Sequence, residues 1–260
     1  MTDKRAGQRA RTSRPERGPL RRLRARTYVS AGLVALLLVF GGAYLVLASE
    51  SSSSPPPVSL STTSPSPSAS GSAGGSGSGL AKGSLNGTWS VSSQDSFVGY
   101  RVREQLLVLP APSDAVGRTS SVTGNLKISG RTIESATFSA DLASLTSDKA
   151  MRDQRMHTIG LQSAEFPTAT FVLASPIAFA SRPPAGRVVK TTATGRFTLH
   201  GVTKQVSIPL QAVWQNGEIQ IVGSFDIQFA DYNITTPTIA GFVTVQDHGT
   251  VELKLILTKQ

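Results

Sequence analysis

No cysteine occurs in the 260 residues. That absence removes disulfides, thiolate metal sites, a thiol nucleophile and a lipid-modified N-terminal cysteine. Histidine is nearly as scarce: His157, His200 and His248 are the only three, and none lies at a short metal-ligand spacing from another. Also missing are a G-x-S-x-G elbow, an H-E-x-x-H pair and a Gly-rich phosphate loop opening a helix. The Gly74-Gly75 run has neither a strand before it nor a helix after it. Catalysis has no candidate constellation, so the chain reads as a non-enzyme with no metal and no cofactor.

Acidic charge is also sparse, and the formal net charge is +10. Its distribution matters more than its size. Residues 1–27 hold ten basic side chains against two acidic ones, net +8, whereas from residue 80 onward the balance is 16 to 13, only +3. The folded part is therefore not a polyanion binder, and no aromatic residues are interleaved with the arginines of the arm as nucleic-acid stacking requires. A basic arm of this kind sets membrane topology and leans on anionic headgroups.

Directly after RRLRAR and Thr27, the 21 residues Tyr28 to Ala48 carry no charge. As a helix they would be roughly 31 Å long, enough for a hydrocarbon core of about 30 Å. With the positive arm retained in the cytoplasm, the expectation is a single-pass cell-membrane protein whose C-terminal part is extracytoplasmic. Val46-Leu47-Ala48 before Ser49 resembles a signal cleavage site, but a secretory apolar core is usually only about 7–15 residues. From residue 49 to about 84 the chain is chiefly Ser, Pro, Thr, Gly and Ala, too polar to offset the entropy of ordering, and reads as a disordered tether. The organisation is thus a basic arm at 1–27, a membrane helix at 28–48, a linker at 49–84 and one domain at 85–260.

That domain is a series of runs rich in Val, Ile, Thr and Phe, many alternating with period two: 96–102, 122–128, 133–142, 170–179, 188–199, 205–214, 218–229 and 250–258. Asn216-Gly217 predicts a two-residue hairpin with positive φ at both positions. Val206, Ile208 and Leu210 share one face before it, and Phe225, Ile227 and Phe229 one face after it; Leu253, Leu255 and Leu257 repeat the pattern near the C-terminus. The exception is 148–161, which reads as one short helix opening at Ser147 and Asp148. About eight antiparallel strands with one wet face are most readily closed into a barrel, which removes their edges and can enclose an elongated ligand.

Four motifs, in order, resemble the YceI-like lipid-binding domains of bacterial envelopes. They are SFVGYRV at 96–102; Met151-Arg152-Asp153 followed by EFPTATF at 165–171; GRFTLHGVTK at 195–204; and the closing FADYNITTPTIAGFVTVQDHGTVELKL. The resemblance spans 85–260 and implies an all-β, lipocalin-like antiparallel barrel that takes up a polyisoprenoid chain. Where many members have R-D-x-H-L, this chain has Arg152-Asp153-Gln154-Arg155-Met156, so any role of that histidine does not transfer.

In a lipid-holding barrel, core and lining are the same inward face. The expected lining is therefore Phe138 and Phe171, then Phe197 and Leu199, Val206, Ile208 and Leu210, Phe225, Ile227 and Phe229, and finally Leu253 and Leu255. Arg152 and Asp153 are candidates for contact with a polar headgroup at the mouth, set against the plainer reading of an ion pair that anchors a helix or loop. The expected partners are the membrane through 28–48 and an isoprenoid or other lipid, with no nucleic acid. The competing reading is a barrel plugged by its own side chains, serving as a structural or interaction module of the envelope.

Overall fold

The structure is a computed structural model and describes residues 54–60, 84–106, 112–236 and 243–260, all within one unit, Ser52–Gln260. The expected basic arm and the span at 28–48 lie outside the described residues, as does most of the linker. Among the described residues no helix is long and apolar enough to cross a membrane.

Chain alternation builds a sheet whose ends meet. In chain order the strands are β1 (Gly87–Leu106), β2 (Ser113–Thr119), β3 (Val122–Ser129), β4 (Thr132–Asp141), β5 (Thr146–Ser147), β6 (Thr168–Leu173) and β7 (Ile177–Ala178). They continue with β8 (Val189–Leu199), β9 (Val202–Gln215), β10 (Glu218–Gln228), β11 (Val243–Val245) and β12 (His248–Lys259). The path β12-β10-β9-β8-β6-β4-β3-β1 is antiparallel throughout, and β1 pairs again with β12, so eight strands form a closed barrel. The short strands β2, β5, β7 and β11 extend its wall and rim.

Closure depends on β1. Its first residues pair with β3, Trp89 opposite Leu126, and its later ones with β2, Tyr100 opposite Gly117. Between these stretches the register against β12 shifts at Ser92 to Phe97, Asp95 takes a φ of +62°, and the fully buried Ser96 hydroxyl accepts the Ile256 N–H at 2.9 Å. A bulge of this kind bends a strand and strengthens its twist, which a barrel corner needs.

The predicted hairpin is present: Asn216 and Gly217 have φ of +52° and +81°, joining β9 to β10. His200-Gly201, with φ of +50° and +73°, turns β8 into β9 in the same way. Two expectations need correction. The run 170–179 is not one strand, because β6 ends at Leu173 and β7 is a separate pair of residues. The expected helix at 148–161 is a six-residue α-helix, α1 (Ala150–Arg155), with Lys149 and not Ser147 or Asp148 at its N-cap, followed by a π-helical turn over Met156–Gly160. A run that short buries little, so neighbouring contacts set its ends.

Candidate functional site

Inside the barrel the side chains fall into two apolar clusters. Around the end that carries the Asn216-Gly217 hairpin, Trp89, Leu126, Trp214, Ile219, Ile221, Leu255 and Leu257 pack together, with Trp89 2 % exposed and Leu257 not at all. The Trp89 indole N–H donates to the Leu85 carbonyl at 2.8 Å. Leu126 and both tryptophans went unrecognised in the sequence; alternation puts them on the inward face, but only the register shows that they meet. This end is filled.

The second cluster surrounds the end carrying His200-Gly201 and α1. Phe197, Leu199, Leu142, Leu145, Ile227 and Tyr232 are buried, and Phe171, Val206, Phe225, Phe229 and Val251 are only half-buried. Phe197 meets Phe225 edge-on at 5.2 Å and Tyr232 at 5.8 Å between ring centroids. Phe171 lies over Gly195, where a Cβ would come within 2.3 Å of the ring, so the glycine makes room for the aromatic. Half-buried apolar side chains border both clusters, but fewer side chains are fully buried at this second, more open end.

The structure divides the expected lining residues between these clusters. Phe171, Phe197, Leu199, Val206, Phe225, Ile227 and Phe229 belong to the second cluster, whereas Leu255 and the half-buried Phe138, Leu210 and Leu253 pack with the first. Ile208 is buried on β9 opposite Ala193. Phe229 departs from its expected strand: β10 ends at Gln228 and Phe229 opens a 3-10 turn through Tyr232. It still faces inward because its ring packs against Gly249, 3.2 Å from the position of a Cβ there.

At the open end the apolar wall gives way to a polar group. Arg152 on α1 donates to Glu104 Oε1 at 2.5 Å and to the Ser147 hydroxyl at 3.2 Å, and is paired with Asp148. Glu104 occupies an inward position of β1, two and four residues beyond Val102 and Tyr100, and is only 8 % exposed. Asp153 accepts the Ser147 N–H at 2.9 Å and its hydroxyl at 2.6 Å, so it ties β5 to α1. Burial works against the charged form of Arg152, but the bond and charge of Glu104 and then of Asp148 outweigh it and raise its pKa. Burial also pushes the Tyr100 phenol well above its usual range, opposed by Arg152 and the nearby Ser147 hydroxyl and reinforced by Asp153 and Glu104. The Tyr100 hydroxyl is buried there beside the Ser147 side chain. Glu104 and Tyr100 were not anticipated: Arg152's main partner is 48 residues away, and only their inward parity on β1 hinted at them.

The histidines serve separate local purposes. His157 Nδ1 is 2.9 Å from the Ser163 hydroxyl, and His248 Nδ1 is 2.8 Å from Asp247. Buried His200 donates from Nδ1 to the Tyr232 carbonyl at 2.9 Å, while its Nε2 lies 2.9 Å from the Gln162 side-chain amide. Among the described residues no group of three or more His, Asp or Glu is placed to hold a metal.

The geometry is a closed β-barrel with an apolar interior, more fully buried around Trp89 and Leu257 than around Phe197 and Phe225, and a buried polar group beside the second cluster. Two solved structures share this fold. A polyisoprenoid-binding domain from Saccharophagus degradans, implicated in plant cell wall breakdown, is 18 % identical with a TM-score of 0.55, covering 66 % of this chain and 98 % of its own. BcnA of Burkholderia cenocepacia is 20 % identical with a TM-score of 0.50, covering 64 % and 98 %. No curated protein matches the chain. The family model of the YceI-like domain matches residues 89–257, the whole of the barrel from Trp89 to Leu257, and the chain therefore belongs to the YceI-like family.

Proposed function

We propose that the chain is a membrane-tethered, extracytoplasmic protein that holds a long-chain isoprenoid or another lipid in its barrel, for storage, shielding or transport. The observation that carries this is the inward, half-buried apolar wall of Phe171, Val206, Phe225, Phe229 and Val251, next to the polar group of Arg152, Glu104 and Tyr100. Family membership and the description of the Saccharophagus domain as polyisoprenoid-binding support the same ligand class. Each methylene moved from water onto such a wall contributes about 0.8 kcal/mol, so a few isoprenyl units suffice before ordering costs are subtracted.

Access from a bilayer fits the open end. Met151, 66 % exposed, and Ile159 project from the α1 and π-turn segment, close to Lys149 and Arg155, a combination suited to an anionic membrane surface. The tether at 49–84 and the uncharged span at 28–48 would keep the barrel beside that surface. Arg152, already engaged by Glu104, Ser147 and Asp148, would offer a lipid headgroup only its remaining donors.

One observation favours the plugged reading, the near-complete burial of Trp89 and Leu257 inside the barrel. Solvent extraction of the protein, expressed in a bacterial envelope and purified as a folded, monodisperse species, separates the two. Mass spectrometry should find a prenyl lipid, and the stripped protein should regain thermal stability when a long-chain prenol or quinone is added, by about 2.7 kcal/mol at a hundredfold excess over Kd. No extractable lipid, with no stabilisation by any prenol, quinone or fatty acyl chain, would leave the plugged module as the function.

A further inference from the structure

The tract read from sequence as a disordered tether contains residues with a definite place. Ser54 to Leu60 (SPPPVSL) lies extended against the outside of the barrel. Arg101 Nη2 donates to the Pro55 carbonyl at 2.7 Å and Arg118 Nη2 to the Pro56 carbonyl at 3.2 Å, while the Ser54 hydroxyl donates to the Asp114 carbonyl. Farther along, Val58 forms one wall of an outer recess of about 460 Å³ whose other walls include Lys190, Thr192, Pro209, Gln211, Val222 and Ser224.

These contacts follow one line across the sheet. In register, Arg118 of β2 lies opposite Gly99 of β1, Gly99 opposite Glu252 of β12, and Glu252 opposite Ser224 of β10. The line continues through the outer residues of β9 and β8, where Pro209 faces Thr192. Along it the outer face departs from the usual wet surface. Glu252 points outward yet is 2 % exposed, held by Arg101 at 2.8 Å and Arg118 at 3.4 Å, and Val222 points outward yet is buried.

The chemistry matches an extended proline segment. Three guanidiniums, Arg101, Arg103 and Arg118, share two carboxylates, Asp114 and Glu252, which leaves N–H donors over. A run of prolines has carbonyl acceptors and no N–H of its own, holds its extended shape at low entropic cost, and so is suited to a surface that supplies donors and one apolar recess. We propose that this outer face is a recognition groove for an extended proline-rich segment and that its occupant is the chain's own Ser54–Leu60, bound in cis as a strap. On the membrane-anchor reading given above, docking shortens the free tether from residues 49–84 to residues 49–53, a reach of at most about 18 Å. The groove itself does not depend on that reading.

Because the chain has no cysteine, nitroxide labels can be placed singly. The full chain carrying Ser59→Cys and, beside the recess but outside its walls, Ser207→Cys, labelled in detergent and diluted with excess unlabelled chain, should show dipolar broadening between the two labels. Adding Pro55→Gly, Pro56→Gly and Val58→Ser, which alter only the strap and leave the barrel intact, should abolish the broadening without lowering the barrel's thermal midpoint by more than a few degrees. Broadening that disappears on dilution would place the strap on a second copy and overturn docking in cis. Absence of broadening in the diluted, unsubstituted strap would overturn the groove altogether, whether or not the chain binds lipid or membrane.

Discussion

Replacing Arg152 by Met tests the polar rim most directly. The substitution keeps an unbranched stem of similar girth, replaces the guanidinium by an apolar thioether, and removes three contacts at once: the 2.5 Å bond to Glu104, the 3.2 Å bond to Ser147 and the pairing with Asp148. Glu104 then remains nine-tenths buried on the inward side of β1 without its cation. Stranding a buried charge in this way costs about 3–5 kcal/mol, far more than loss of an exposed pair, which is worth about 0–1 kcal/mol. For a domain of this size each kcal/mol moves the thermal midpoint by about 2–4 °C, so Arg152→Met should lower it by roughly 10 °C. Glu104→Gln, which removes the charge and keeps a hydrogen-bonding side chain, should recover most of that loss when combined with Arg152→Met. Thermal melts and urea titrations of the two single variants and the double variant close a cycle, with an expected coupling of at least about 1.5 kcal/mol. A single-variant cost below about 1 kcal/mol, or strictly additive effects, would refute the account of Arg152 as the counter-ion of a buried Glu104.

Alkaline pH should expose the burial of Tyr100. Its phenol is held above the value near 10 of an unfolded tyrosine, so the folded state retains a proton that the unfolded state loses; stability is full below about pH 10 and declines above it. Melts between pH 8 and 11.5 should show that decline, and Tyr100→Phe should flatten it; an unchanged slope in the variant would count against the assignment. Gly217→Val, at a φ of +81° with nothing near its Cβ, should cost more than about 1 kcal/mol through backbone strain alone. Gly195→Ala should cost more than Gly217→Ala, because its new methyl meets the Phe171 ring and, at 2.6 Å, the Val172 carbonyl; equal effects in chemical denaturation would show that Phe171 moves freely. Protease added to intact, wall-stripped cells should remove the barrel and leave a membrane-bound stub; full protection, or a mature chain beginning at Ser49, would refute the anchored topology.

Much of the barrel could be read from residue order because its determinants are local. Alternation on β9, β10 and β12 follows from the two-residue repeat of a strand, and Asn216-Gly217 announces its turn because few other residues accept positive φ twice in succession. The motifs at 96–102, 165–171 and 195–204 carried the family resemblance, and the uncharged stretch at 28–48 carried an expectation that rests on length and charge alone. Other features depended on partners distant in sequence. The Ser92–Phe97 bulge arises where one strand must serve β3, β2 and β12, so no local signal marks it. Phe229 leaves the strand its alternation predicted because a turn through Tyr232 lets His200 bond the Tyr232 carbonyl, a contact spanning 32 residues. Glu104 and Arg152 are separated by 48 residues and Pro55 and Arg101 by 46, and each pair is unremarkable until the closed sheet brings it together. Propensity and periodicity act over a few residues, so residue order alone was enough to mark the eight barrel strands, though not every strand end, and the composition of their inward face. Burial and charge pairing act through space, so closure of the sheet was needed to show which side chains are buried together, which arginine answers which carboxylate, and that part of the Ser/Pro-rich tract lies against the barrel.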